Sequence, residues 1–192
     1  LNEMASNDLG HTTHISVLDR AGMACSITTS NGEGCGHIVP GSGCMANNFM
    51  GEEDLHPNGF HKLAPGTPLT SMMCPTIVTQ NGRPIVALGS GGSNRIRTAI
   101  LQVLVRHLLG GESIEEAVNA PRIHYEGGEI TVERRGYEFE LSPKTLDGLE
   151  KMGGKLTLFE EPNVYFGGVH AVGVGGHGAG DKRRSGIMKV VD

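Results

Sequence analysis

The chain has 192 residues, enough for one domain with a substantial core, and a formal net charge of −5 with no basic stripe. That balance excludes the clustered Lys and Arg of a nucleic-acid binder. No stretch approaches the roughly 18 uninterrupted apolar residues of a membrane span, and no early apolar run follows a basic segment in the manner of a signal peptide.

Thirty glycines and only 4% aromatic residues are unusual. The glycine pairs are too dispersed for a linker, so they read as turns, helix stops and close backbone approaches. The chain opens on Leu1 and reads as a piece of a longer one. Cys25, Cys35, Cys44 and Cys74 form no CxxC, and each sits beside apolar residues or glycine. They read as buried free thiols, which favours a reducing, cytoplasmic compartment over a periplasmic or secreted one.

Residues 1–11 are polar and unpatterned. From Thr13 the chain alternates, with His14, Ser16 and Leu18 on one face and Thr13, Ile15, Val17 and Asp19 on the other. "DRAG" is turn chemistry, and Met23 to Thr28 reads as the return strand. Residues 31–75 are rich in Gly, Pro and Asn, and so long an irregular segment is a functional signal. A second hairpin follows, with Asn81-Gly82 at its tip.

"GSGGSNRIRTAILQVLVRHLLGG" predicts a helix with Ser93 or Asn94 as cap and Gly110-Gly111 as stop. "SIEEAVNAP" carries the capping-box pair Ser113 and Glu116 and halts before Pro121. "EITVE" is a short strand, and "SPKTLDGLEKMGG" a helix with Ser142 as cap and Pro143 at its first position. "KLTLF", "GVHAVGVGG" and "GIMKVV" are strand-like, and "DKRRSG" at 181–186 reads as a charged turn. Antiparallel sheets with helices gathered in the middle predict a layered α+β design.

Three hydroxyl or glycine groups could carry chemistry. Thr12 and Thr13 are β-formers that open a strand. A threonine can also be a nucleophile, when a cut before it frees its own α-amine, of pKa about 7.7–8.0, to act as base. "LGSGGSNRI" ends a strand and opens a helix, so the N–H groups of Gly91 and Gly92 can face an oxyanion, or can simply turn the chain. Thr70 and Ser71, just before a strand, cap a turn or bind a carboxylate. The nine histidines show no metal-ligand spacing, and His37, His56, His61, His124 and His170 read as solvated or core residues.

Taken in order, "TTHISVLD", "VPGSG", Asn47-Asn48, "PLTSM", "PTIV", "GSGGS", "RIRTAILQVL", "EAVNAPRIH", "LSPKTLDGLEKMG" and "GDKRRSG" resemble the C-terminal catalytic half of γ-glutamyltransferases. The resemblance runs from about Thr12 to the end. It implies the four-layer αββα sandwich of the N-terminal-nucleophile hydrolases, of which this chain supplies about half. Residues 1–11 would then lie upstream of an autocatalytic cut, and residues 12–192 would form the catalytic small-subunit-like domain.

By the same resemblance Thr12 attacks the carbonyl of His11, freeing its amine. It then attacks a γ-glutamyl amide such as glutathione and passes the acyl group to water or an amine. Ser30, eighteen positions on, matches an assisting threonine; Gly91 and Gly92 match an oxyanion hole; Thr70 and Ser71 match a carboxylate-binding pair. Asn31 stands for an asparagine that the family places two residues after the assisting hydroxyl, where this chain has Gly32. Glu52 stands for one of two aspartates that hold the substrate α-amine, while Phe49 and Gly51 depart from the pattern.

The resemblance further implies no cofactor and no metal. The implied partners are the N-terminal large-subunit half, a small γ-glutamyl substrate and an open possibility of higher oligomers. An acylase-like action on a different amide, or an inactive binding homologue, are the alternatives. The chain alone should expose a large apolar face where the other half packs.

Overall fold

A computed structural model describes residues 12–191, so the expected cut site at His11 lies half outside the described residues. The fold is α+β, as expected, with nine strands and three α-helices among the described residues. Strands β1 (Thr12–Leu18) and β2 (Ala24–Ser30) form an antiparallel hairpin. The hairpin lies on a four-stranded sheet of β3 (Thr76–Gln80), β4 (Arg83–Gly91), β8 (Gly168–Gly173) and β9 (His177–Ala179), in the order β3-β4-β8-β9. Helices α1 (Ile96–Leu104) and α2 (Ile114–Asn119) cover the sheet's other face. Three layers of the expected sandwich are therefore present: hairpin, sheet and helices.

The main core lies between sheet and helices. Val86, Leu88, Val169 and Ala171 meet Ile96, Ile100, Val103, Ala117 and Val118 there. Covered on both faces, β4 is buried continuously from Val86 to Gly91. Between hairpin and sheet the packing is polar. His14 is buried, its Nδ1 2.8 Å from Thr28 Oγ1 and its Nε2 2.7 Å from Ser16 Oγ, and Ser26 Oγ donates to the Leu88 carbonyl at 3.0 Å. Gly89 makes room for the His14 ring, since a Cβ there would strike it. The hairpin's outer face carries Ile15, Val17 and Ile27, each more than half exposed. This inside-out pattern is the apolar face expected of a layer that awaits another.

Burial, with the His170 ring as a second cause, pushes the His14 pKa down to about 4. The unfolded chain, with histidine near 6.5, binds more protons between those values, so stability from this group is complete above about pH 6.5 and is lost as pH falls to about 4. The loss is expected to reach roughly 3 kcal/mol. His14→Gln should flatten that part of the acid limb in urea denaturation measured from pH 7 to pH 4; an unchanged limb would show that His14 does not set it.

Local signals read true. Asn81 and Gly82 turn with φ of 51° and 76°, the type I′ geometry that matches strand twist. Ser113 and Glu116 close both bonds of the capping box, at 3.2 and 2.8 Å. Ser142 Oγ caps α3 (Pro143–Lys151) from Thr145 N at 3.1 Å. The first return strand starts one residue later and ends two residues later than expected, because Asp19 and Met23 close the turn. The predicted long helix is three joined pieces: a 3₁₀ turn at Ser93–Arg95, then α1, then one π-helical turn at Val105–Leu109 ended by Gly110.

Other expectations are corrected. A strand not foreseen, β5 (Ile123–Glu126), pairs with β6 (Glu129–Glu133) across Gly127-Gly128, whose φ values of 58° and 85° make the tight turn. β7 (Lys155–Phe159) pairs with β6 in parallel, not antiparallel, because α3 intervenes and returns the chain to the same end. "GIMKVV" joins no ladder.

All four cysteines are exposed rather than buried. Cys25 stands on the outer face of the hairpin, and the others lie in or beside the long irregular segment. Nor is residues 181–186 merely a charged turn. Asp181, Arg183, Arg122 and Glu133 are all buried, with Arg122 Nη2 to Asp181 Oδ2 at 2.5 Å and Arg183 Nη2 to Glu133 Oε2 at 2.6 Å.

Candidate active site

Directly opposed residues of an antiparallel pair project to the same face. The hairpin register sets Thr12 against Ser30, and their hydroxyls meet at 2.8 Å. The Gly32 N–H donates to Ser30 Oγ at 3.0 Å. Ser30 can therefore give its own proton to Thr12 Oγ1, leaving the threonine proton for a base.

Beneath them, β4 ends at Gly91, and the helical run begins at Ser93. A Cβ on Gly91 would collide with the Thr12 carbonyl, so glycine is required for β4 to pass under the start of β1. Gly92, at φ 127°, lines the open cleft with Thr12 and Ser30, and so does Ser93, held at φ 51°. Gly91 is behind the threonine and outside that lining. Gly92 and Ser93 thus line the cleft at this turn, while Gly91, the first of the glycine pair read from sequence, stands against the Thr12 carbonyl.

The cleft holds about 420 Å³. One wall is acidic, formed by Glu33, Glu52, Glu53 and Asp54, and Arg95 and Arg184 stand among the remaining lining residues. Burial raises the Glu52 carboxyl above its usual range, and the neighbouring Glu33 and Asp54 add to this. Gly32 explains how Glu52 reaches the cleft: a Cβ at residue 32 would collide with the Glu52 carboxylate and the Asn48 amide. Asn48 Oδ1 in turn accepts the Glu33 N–H at 2.8 Å. Ser93 Oγ donates to Asp54 Oδ2 at 2.5 Å, tying the glycine turn to the acidic wall.

The structure thus gathers Thr12, Ser30, Gly92, Ser71 and Glu52 around one cleft and leaves three sequence candidates outside its lining. Those are Gly91, Thr70, which is exposed, and Asn31. Asn31 is also exposed and acts through its main-chain carbonyl, which accepts the N–H groups of Gly34 and Asn48 at 2.9 and 3.2 Å. Asn48, Ser93, Arg95 and Arg184 join the cleft lining beyond the candidates read from sequence. The Asn47-Asn48 pair was a visible motif, whereas Arg184 was hidden inside a run of like charges. Phe49 also lines the cleft, an aromatic ring beside the acidic wall. Among the described residues no three His, Cys, Asp or Glu side chains cluster as a metal site, and no helix is long and apolar enough to cross a membrane.

The family model described as Gamma-glutamyltranspeptidase matches residues 2–191. The chain is 34% identical over 160 residues to an Acylase ACY 1 proenzyme of a Pseudomonas species, covering 76% of this chain and 29% of that protein. It is 34% identical over 172 residues to the glutathione hydrolase proenzyme of Escherichia coli, covering 82% of this chain and 29% of that one. It therefore spans less than a third of the length of these relatives. The solved Gamma-glutamyltranspeptidase from Pseudomonas nitroreducens complexed with L-DON superimposes with a TM-score of 0.75 at 30% identity, over 94% of this chain and 100% of that chain. With the nucleophile-like hydroxyl pair, the glycine turn and a family match over nearly its full length, the chain belongs to the gamma-glutamyltranspeptidase family.

Proposed function

We propose that this chain is the catalytic half of an enzyme that cleaves γ-glutamyl amides through an N-terminal Thr12. The observation that carries the reading is the Thr12–Ser30 hydroxyl pair, 2.8 Å apart in the lining of the cleft. In the uncut chain Thr12 Oγ attacks the carbonyl of residue 11, and transfer to oxygen followed by hydrolysis frees the Thr12 amine. That amine then takes the hydroxyl proton as Oγ attacks the γ-carbonyl of a substrate. The N–H groups at the Gly92 turn receive the oxyanion, the amine returns the proton to the departing nitrogen, and water or an acceptor amine resolves the acyl-enzyme.

In this reading Ser71, which lines the cleft, binds the substrate carboxylate, and Glu52, with the other carboxylates of the wall, binds its α-ammonium. The N-terminal half of the same precursor is the partner, and the exposed Ile15, Val17 and Ile27 face is where it packs. A second reading, action on an acyl amide that lacks the α-ammonium, is favoured by Phe49 in the cleft and by the acylase relative.

The deciding experiment is the intact mass of the full-length protein after prolonged incubation, followed by turnover assays. A fragment beginning at Thr12, with release of amine from a γ-glutamyl anilide, is the expected result. A chain that stays whole and inert would sink the proposal, and turnover of an acyl amide but not of the γ-glutamyl compound would move it to the second reading.

A further inference from the structure

The run Asp181-Lys182-Arg183-Arg184 sends three adjacent cations in three directions. Lys182 is exposed, 5.3 Å from the centre of the Tyr137 ring. Arg183 is buried against Glu133 and Asp181. Arg184 reaches across 172 positions to the start of β1, where its Nη1 donates to the Thr12 carbonyl at 3.5 Å.

Its path is cleared by glycines. A Cβ on Gly168 would come within 2.6–2.8 Å of the Arg184 stem, and the Cβ positions of Gly91 and Gly92 lie 3.4 and 3.8 Å from the two ends of its fork. The arm that carries it is stiff. Asp181 accepts the N–H groups of Val169 and Arg183 at 3.0 and 2.9 Å, while Arg183 also donates to the carbonyls of Val118 and Ala120 at 3.0 and 2.9 Å.

We propose that Arg184 is the positioning residue of the nucleophile, holding Thr12 by its main-chain carbonyl so that amine and hydroxyl keep one relative geometry. The inference rests on the reading of Thr12 given above. Once the chain is cut, Thr12 is a terminal residue, and terminal residues fray unless tied down. Ser30 ties the side chain and Arg184 ties the carbonyl, which leaves the amine as the group free to move a proton. A fixed guanidinium fork suits this better than a flexible ammonium.

In the processed full-length enzyme, Arg184→Met is expected to lower kcat by about 10–100-fold, the cost of a small misplacement of the reacting group. KM should change by less than about threefold, because ground-state binding is left in place. Arg184→Lys should fall between, and guanidinium ion added to Arg184→Ala should restore part of kcat. An Arg184→Met precursor that folds but does not cut itself is read by the same rescue, since one hydroxyl serves both reactions. Unchanged kcat, a loss confined to KM, or failure of guanidinium to rescue either reaction would overturn the assignment. A wild-type protein that neither cuts nor turns over would remove the parent reading instead, and so is told apart from failure of this contact.

Discussion

Thr12→Ala in the full-length protein is expected to abolish the cut before residue 12 and to lower kcat for amide cleavage by about 10⁴–10⁶-fold, the range seen when a nucleophile is deleted. No neighbour can substitute. The register gives Thr12 one hydroxyl partner, Ser30, and Thr13 points to the hairpin's exposed face. Thr12→Ser keeps the oxygen but loses the methyl group that restricts its rotamer, so it should still cut and turn over, more slowly. Ser30→Ala removes the 2.8 Å partner and leaves the Gly32 N–H without its acceptor. It should cost about 10²-fold in kcat, the low end for a group that assists proton transfer. Intact mass for the cut and initial rates for turnover measure all three. A Thr12→Ala protein that still cut at the same bond would place the nucleophile elsewhere.

Arg183→Met should destabilise the protein by about 3–5 kcal/mol, because it strips one partner from a fully desolvated charge network. Arg183 and its partners Glu133 and Asp181 have side chains with no exposure, and Arg122, Arg183, Glu133 and Asp181 sum to zero charge. Burial alone would push the Asp181 carboxyl up, but Arg122 and Arg183 more than offset it and hold the group below its usual range. Without Arg183, Glu133 keeps its bonds to the Arg122 and Asn163 N–H groups but loses its guanidinium. The carbonyls of Val118 and Ala120 lose a donor as well.

The control is Arg134→Met. That side chain is 41% exposed beside Glu140 and Glu160, so its removal should cost no more than about 1 kcal/mol. Urea denaturation of both variants compares them directly, and equal losses would refute the buried-network account.

Much of the local architecture could be read directly from the residues. The Asn81-Gly82 turn, the Ser113–Glu116 box and the Ser142 cap each depend on bonds between near neighbours, whereas the match of Ser30 to Thr12 came with the family resemblance. Those interactions are made by whatever chain carries the residues, so sequence suffices. Order of motifs likewise sufficed for the family.

Tertiary structure decided what depends on distant partners. The triplet after Asp181 looked like one charged turn because its counter-ion Glu133 lies fifty positions away. The cysteines looked buried from apolar neighbours, yet their exposure follows from the open outer face of the hairpin and the irregular segment. Gly32 appeared as the loss of an asparagine until its empty Cβ position proved to be where Glu52 enters the cleft. Of the glycine pair, Gly91 lies against the Thr12 carbonyl and only Gly92 lines the cleft, a division set by how β4 passes under β1. In each case the sequence determined which groups were present, and only packing between elements far apart in the chain determined which of them faced one another.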